Sequence, residues 1–558
     1  MAHSIAREWF LTKSRISLPK FSNVSALIAR VGRFISIESF RLLPQIVAFQ
    51  SIETLELGDL SSEITDPSPH QESLTKDEVS YLAKLCSLRT LRIRTNHIDL
   101  STLPCLSYVR NISITARTIS ESFMPHGKSA IQNLSIESFN PIHCRYFFRC
   151  VGSGIRHLRL RGSLRAVADQ LGSFSNLVTL DLSESDIVNL SPIETIKTLR
   201  RVSLYRTNVV NLTPVFTLPL LCELDISETQ VDSLAGIEQC SKSLRSLNVS
   251  RSNLASLEPV RHLTQLRELI LNEIWSFTVH QLPALTPLRH LSRLRRLEAR
   301  MHLPSMTIST WRTRIRVLEA FRKLEWLALN AMGDRVSDLL ALYSELKVLY
   351  LGWNFEKLDN VPFTTKHKKL LTLQLECVQF DQLSNLKNLP ALEVLRLRDV
   401  VVRDYSSLIH LKNLIKLEIT CALVHYDAPQ KMPLDLLSIG RLTHLVWLDL
   451  SFTNIYNLEA LCNLKLLEFI NLSSTPIDDI EPLKTMIALQ VVHLNDVENI
   501  DTTPLASLTK LRETMLSEHA DCRPLRTKGL YFLRRILHPV YNCLTLEHHG
   551  PLSSCVQS

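Results

Sequence analysis

Between Leu448 and Leu483 the chain repeats itself: "LDLSFTNI" returns 22 residues later as "INLSSTPI". The same spacing runs through most of the sequence. Aligned on the first apolar residue of a short LxL unit, it gives Leu158, Leu180, Val202, Leu224, Leu247 and Leu269, in steps of 22, 22, 22, 23 and 22. A second series is Leu327, Leu349, Leu373, Leu395 and Leu417, and a third is Leu448, Ile470 and Val492, reaching Thr514. Weaker units begin at Ile35, Leu55, Leu91, Ile112 and Leu134, so about twenty repeats are expected.

Each unit changes period partway. "LDLS" alternates, as a strand with one buried face does; "NLxxLxxLxxL" then places apolar residues three apart, which suits a turn and a short helical segment. A unit of 22 residues cannot bury its own leucines, but stacked units cover one another. The strands then form a long parallel sheet with neighbours about 4.8 Å apart. The fold class expected is an α/β solenoid. A single compact core stops growing near roughly 250–300 residues, and an elongated stack is one way for 558 residues to fold.

Stretches such as "LCELDISETQVDSLAGIEQC" and "LVWLDLSFTNIYNLEAL" resemble the leucine-rich-repeat superfamily in its short, 22-residue form. The texture is similar to bacterial internalins, to a leucine-rich regulatory subunit of a protein phosphatase and to trypanosomatid leucine-rich-repeat proteins. The resemblance implies a curved superhelix, with the sheet on its concave face and irregular or short helical segments on its convex side. The family usually holds its turn with Asn at the sixth position of the unit. Here that slot carries Ser185, Thr207, Thr229, Ser252, Asn354, Thr453 and Thr475. A hydroxyl serves a tight turn more weakly than an amide, so these residues are expected to be structural. Pro192, Pro214, Pro259, Pro482 and Pro504 share another slot, with Gly236 in one unit. Proline donates nothing to a ladder, so this slot should lie off the sheet and open a helical turn.

The expected organisation is an N-terminal cap or targeting segment over 1–34, a solenoid over 35–516 and a C-terminal cap and tail over 517–558. Insertions are placed at 58–86, 272–323 and 421–445. The first 37 residues hold one acid, Glu8, and resemble a mitochondrial presequence; a helical cap is the other reading. With no secretory signal and twelve cysteines lacking paired spacing, free thiols in an intracellular, reducing compartment are expected, cytoplasmic or else mitochondrial. Cys522, Cys543, His548, His549 and Cys555 fit no standard zinc spacing. No metal or cofactor is expected.

The net charge of +8 is concentrated. From Arg289 to Lys323, nine arginines and one lysine face two glutamates, which accounts for the whole excess. Its basic patch comprises Arg289, Arg293, Arg295, Arg312, Arg314, Arg316, Arg322 and Lys323. Such a patch fits an acidic protein surface or nucleic acid, although no stacking aromatics are interleaved as a known RNA module requires. Strand alternation aims Arg296, Arg300, Trp326, Tyr350, Arg396, Arg398, Trp447 and Asp449 at the open sheet face. Tryptophan, tyrosine and arginine are enriched at interface hot spots, so these are the candidate partner-binding residues. Asp449 and Asn471 are expected to vary there without altering the fold. GxSxG, Walker A and HExxH motifs are absent. The function expected is a non-enzymatic scaffold or adaptor binding a protein partner through this face and the basic insertion. The alternatives are a regulatory or substrate-receptor subunit of a phosphatase or ubiquitin ligase, and an RNA-binding protein using 289–323.

Overall fold

The computed structural model describes residues 34–37, 43, 52–58 and most of 74–533. The longer undescribed stretches inside that range are 123–128, 274–285, 301–317, 331–339, 421–433 and 527–530, and only the backbone is described over 353–359. Arg312, Arg314 and Arg316, the Asn354 side chain, the N-terminal 33 residues and the Cys/His tail therefore lie outside the described residues.

The chain divides into two compact units, Met1–Leu324 and Glu325–Ser558. In the first, twelve described strands run in sequence order from Phe34–Ile37 to Arg296–Ala299, each parallel to the next. In the second, ten described strands run from Trp326–Asn330 to Tyr531–Leu533 in the same manner. The repeat leucines fall directly opposite one another. Leu180, Val202, Leu224, Leu247 and Leu269 form one buried row. Leu395, Leu417, Leu448, Ile470 and Val492 form another. Each buried leucine contributes about 1.5–3 kcal/mol, and only because the neighbouring rungs cover it.

The return segments are short helical turns. The proline slot opens them: Ser191–Thr195, Glu258–His262 and Glu481–Thr485 are 3-10 turns, and Thr213–Phe216 and Thr503–Ala506 are single α turns, each with proline at its start. Gly236 takes φ +96° in the equivalent place, a conformation that glycine adopts without a Cβ penalty.

Between strand and return the chain makes one recurrent turn. The residue before the hydroxyl slot is left-handed in repeat after repeat: Glu184, Arg206, Glu228, Arg251, Phe452 and Ser474 have φ between 52° and 60°. This kink aims its N–H sideways at the next rung, as in Glu184 N–H to Tyr205 O (2.8 Å) and Ser474 N–H to Asn495 O (2.8 Å). The following hydroxyl closes the turn. Ser185, Thr207, Thr229, Ser252, Thr453 and Thr475 each donate to the carbonyl three residues earlier, at 2.5–2.7 Å. This register of leucines, kinks and returns is the leucine-rich-repeat solenoid.

Two segments differ from expectation. The insertion expected at 58–86 contains a helix, Lys76–Leu82, which buries Val79 and Leu82. After Ser517, where the 22-residue spacing stops in sequence, a helix at Arg523–Arg526 is followed by strand Tyr531–Leu533, which adds one more parallel rung to Glu513–Leu516. The shortened spacing of this rung hides it from a 22-residue count.

Candidate protein-binding face

Because strands stack in register, residues at equivalent positions line up in rows across the open face of the sheet. Immediately before the buried leucine lies the first row. In the first unit it is polar: Asn111, Asn133, His157, Thr179, Arg201, Glu223, Ser246, Glu268 and Arg296 follow one another. Many of these side chains pair with one another. His157 Nδ1 lies 2.8 Å from Thr179 Oγ1, Ser246 donates to Glu268 at 3.0 Å, and Arg201 pairs with Glu223 at 2.9 Å.

In the second unit the same row is largely apolar. It runs Trp326, Val348, Thr372, Val394, Lys416, Trp447, Phe469 and Val491 before turning acidic at Glu513. All are half-buried. The Trp447 ring lies 4.6 Å from Phe469, with an interplanar angle of 3°. Lys416 Nζ sits 3.3 Å from the Trp447 ring centroid. Trp447 is thus sandwiched between a cation and an arene, which fixes its rotamer and leaves its edge to solvent. Trp326 meets Tyr350 edge-on at 5.0 Å.

Beside it runs a polar row, Tyr350, Gln374, Arg396, Glu418, Asp449, Asn471 and His493. Buried Glu418 is its hub, pairing with Arg396 at 3.3 Å and also with Arg398. Lys416 stands apart: among the described residues no carboxylate lies within ion-pair distance of its ammonium. Burial lowers its pKa to about 8, with Arg396 adding to the effect and Glu418 opposing it. Asp449 is raised by burial, against hydrogen bonds from Ser451 and Asn471.

Those hydrogen bonds correct one expectation. Asp449 accepts the Ser451 N–H at 2.9 Å, and Asn471 accepts the Ser473 N–H at 3.1 Å while donating to Asp449 at 3.1 Å. Asp181, Asp225 and Asn248 do the same at 2.9–3.1 Å. These residues are Asx locks on the kink after the strand and are not free to vary.

The other candidates separate by unit. Arg296 pairs with Glu268 at 3.1 Å and Glu298 at 2.5 Å, in the first unit with half-buried Arg300. Arg289, Arg293, Arg295, Arg322 and Lys323 are exposed there, Arg295 donating to the Lys323 carbonyl at 3.3 Å. Phe469, Val394, Val491 and Lys416 were missed in the sequence; their signal is the slot before each strand leucine. Among the described residues no group of three or more His, Cys, Asp or Glu side chains could hold a metal, and no helix is long and apolar enough to cross a membrane.

No family model matches the chain, and no curated relative does. Solved structures with similar folds include an internalin from Listeria monocytogenes, 20% identical, covering 65% of this chain and 88% of that one with a TM-score of 0.36. A leucine-rich-repeat protein of Leptospira interrogans is 14% identical, covering 84% and 98%, with a TM-score of 0.36. TLR13, solved in complex with ssRNA13, is 16% identical, covering 86% and 78%, with a TM-score of 0.46. None of these likenesses carries an argument about what this chain binds.

Proposed function

We propose that this leucine-rich-repeat chain is a non-enzymatic protein-binding module, a scaffold or adaptor that holds a partner on the open sheet face of its second unit. The observation that supports this is the half-buried row through Trp447 and Phe469. The equivalent row of the first unit is polar and largely paired within itself, so an apolar row is not required by the repeat. Aromatic anchors held rigid before binding lose little entropy when they are covered. The experiment is affinity capture with the full chain and with Trp447→Ala/Phe469→Ala. One defined partner should be lost while the fold, followed by circular dichroism, is retained. Unchanged recovery of every partner would sink the reading.

A second reading, nucleic-acid binding, is favoured by one observation: Arg289, Arg293, Arg295, Arg322 and Lys323 are all exposed. Binding of a single-stranded RNA should then weaken steeply with salt. A flat response removes it.

A further inference from the structure

The apolar row has a direction and a step, and both bear on the shape of what covers it. This inference rests on the binding face proposed above. Val394, Lys416, Trp447, Phe469 and Val491 occupy directly paired positions on five consecutive parallel strands. The row therefore crosses the strands and advances about 4.8 Å per residue. An α-helix laid along it repeats its apolar stripe about every 5.4 Å, one turn. After four steps the row and the helix differ by about 2.4 Å, which side-chain rotamers absorb. An extended peptide on the same line repeats its facing side chains about every 6.7 Å and is about 7.6 Å out of step after four. Nor does the face of a sheet offer an extended chain the backbone partners that a sheet edge does.

Charge sets the orientation of the flank. On the neighbouring polar row Arg396 is paired with Glu418, and Asp449 is held by Ser451 and Asn471. Lys416 is the cation within the apolar row, resting on Trp447 with no carboxylate among the described residues within ion-pair distance. A partner that covers the row desolvates this ammonium further unless it brings an anion.

We infer that the open face of the second unit docks an amphipathic α-helix of a partner protein, laid across the strands, with its apolar stripe on the Trp447–Phe469 row and an aspartate or glutamate set against Lys416. About four turns, roughly 14 residues, span the five strands.

The test is selection of a randomised 18-residue peptide library displayed against the full chain. Enriched peptides should carry apolar residues at i, i+3, i+4 and i+7 and a recurrent acid on one flank. They should become helical on binding, and Trp447→Ala should weaken them at least about tenfold. Selection against Lys416→Glu, which leaves the aromatic sandwich partner intact, should replace the acid with lysine or arginine. Enriched peptides that depend on Trp447 but alternate with period two would leave the binding face standing and overturn the helix. Enriched peptides indifferent to both Trp447→Ala and Lys416→Glu would overturn face and helix together, as would a selection that enriches nothing. A mass that rises with concentration in the wild type and not in Trp447→Ala would seat a second copy there, and likewise overturn the inference.

Discussion

At the scale of single residues, the hydroxyl slot and Lys416 make opposite predictions about stability. Thr475 is buried and donates to the Leu472 carbonyl at 2.6 Å. Thr475→Val keeps the shape and removes the donor, leaving a buried carbonyl unpaired at a cost of about 1–3 kcal/mol. Thr475→Ser keeps the donor and should lose much less; equal loss in urea denaturation would mean that the methyl group, not the hydroxyl, matters. For Lys416 the sign runs the other way. Its folded pKa, about 8, lies below the ordinary lysine value, so between pH 8 and about 10.4 the unfolded chain binds more protons. The ammonium's cost is thus fully present below pH 8 and fades as pH rises through that window. Lys416→Met should gain most over the wild type near pH 7 and least near pH 10, read as the difference in urea midpoints. A pH-independent difference would place the ammonium in water.

Among elements, the left-handed kink follows the three-residue strands, such as Thr179–Asp181, Glu223–Asp225 and Phe469–Asn471, and turns the chain toward its return segment. Ser474, at φ 55°, is one such position, and its hydroxyl only reaches Asp496 at 3.3 Å on the surface. Ser474→Val should cost about 1–3 kcal/mol, because a β-branched residue is poorly accommodated there. Ser474→Gly should be neutral or slightly stabilising, and the ranking is measurable from thermal midpoints; equal midpoints would show that the kink carries no strain. Nothing in the sequence announces this kink. Glu184, Arg206, Phe452 and Ser474 share its conformation and no chemistry, and none is glycine. The rungs, by contrast, were legible because burial forces an apolar residue at every twenty-second position. The face was legible only in part. Trp447 and Trp326 stood out by type, but Lys416 and Trp447 are 31 residues apart across an insertion and become neighbours only through strand pairing. Asp449 looked free because an Asx lock leaves no trace in spacing.

For each unit as a whole, the stack dictates how damage spreads. Leu224 is buried between Val202 and Leu247 on the adjacent strands. Leu224→Asp sets a carboxyl where no partner exists and costs several kcal/mol whether it ionises or is forced to stay neutral. In a globular core that cost would be shared by every element. In a stack each rung touches only its neighbours, so the loss falls first on the rungs that cover Leu224. Hydrogen exchange of the full chain should therefore show strands Arg201–Ser203, Glu223–Asp225 and Ser246–Asn248 losing protection together. Strand Asn133–Ser138, four rungs earlier in the same unit, should keep most of its own. If protection falls uniformly from Asn133 to Asn248, the unit unfolds as one cooperative body, and nearest-neighbour stacking is not what limits its stability. If Glu223–Asp225 alone is affected, the leucine row is not the shared core that the register describes.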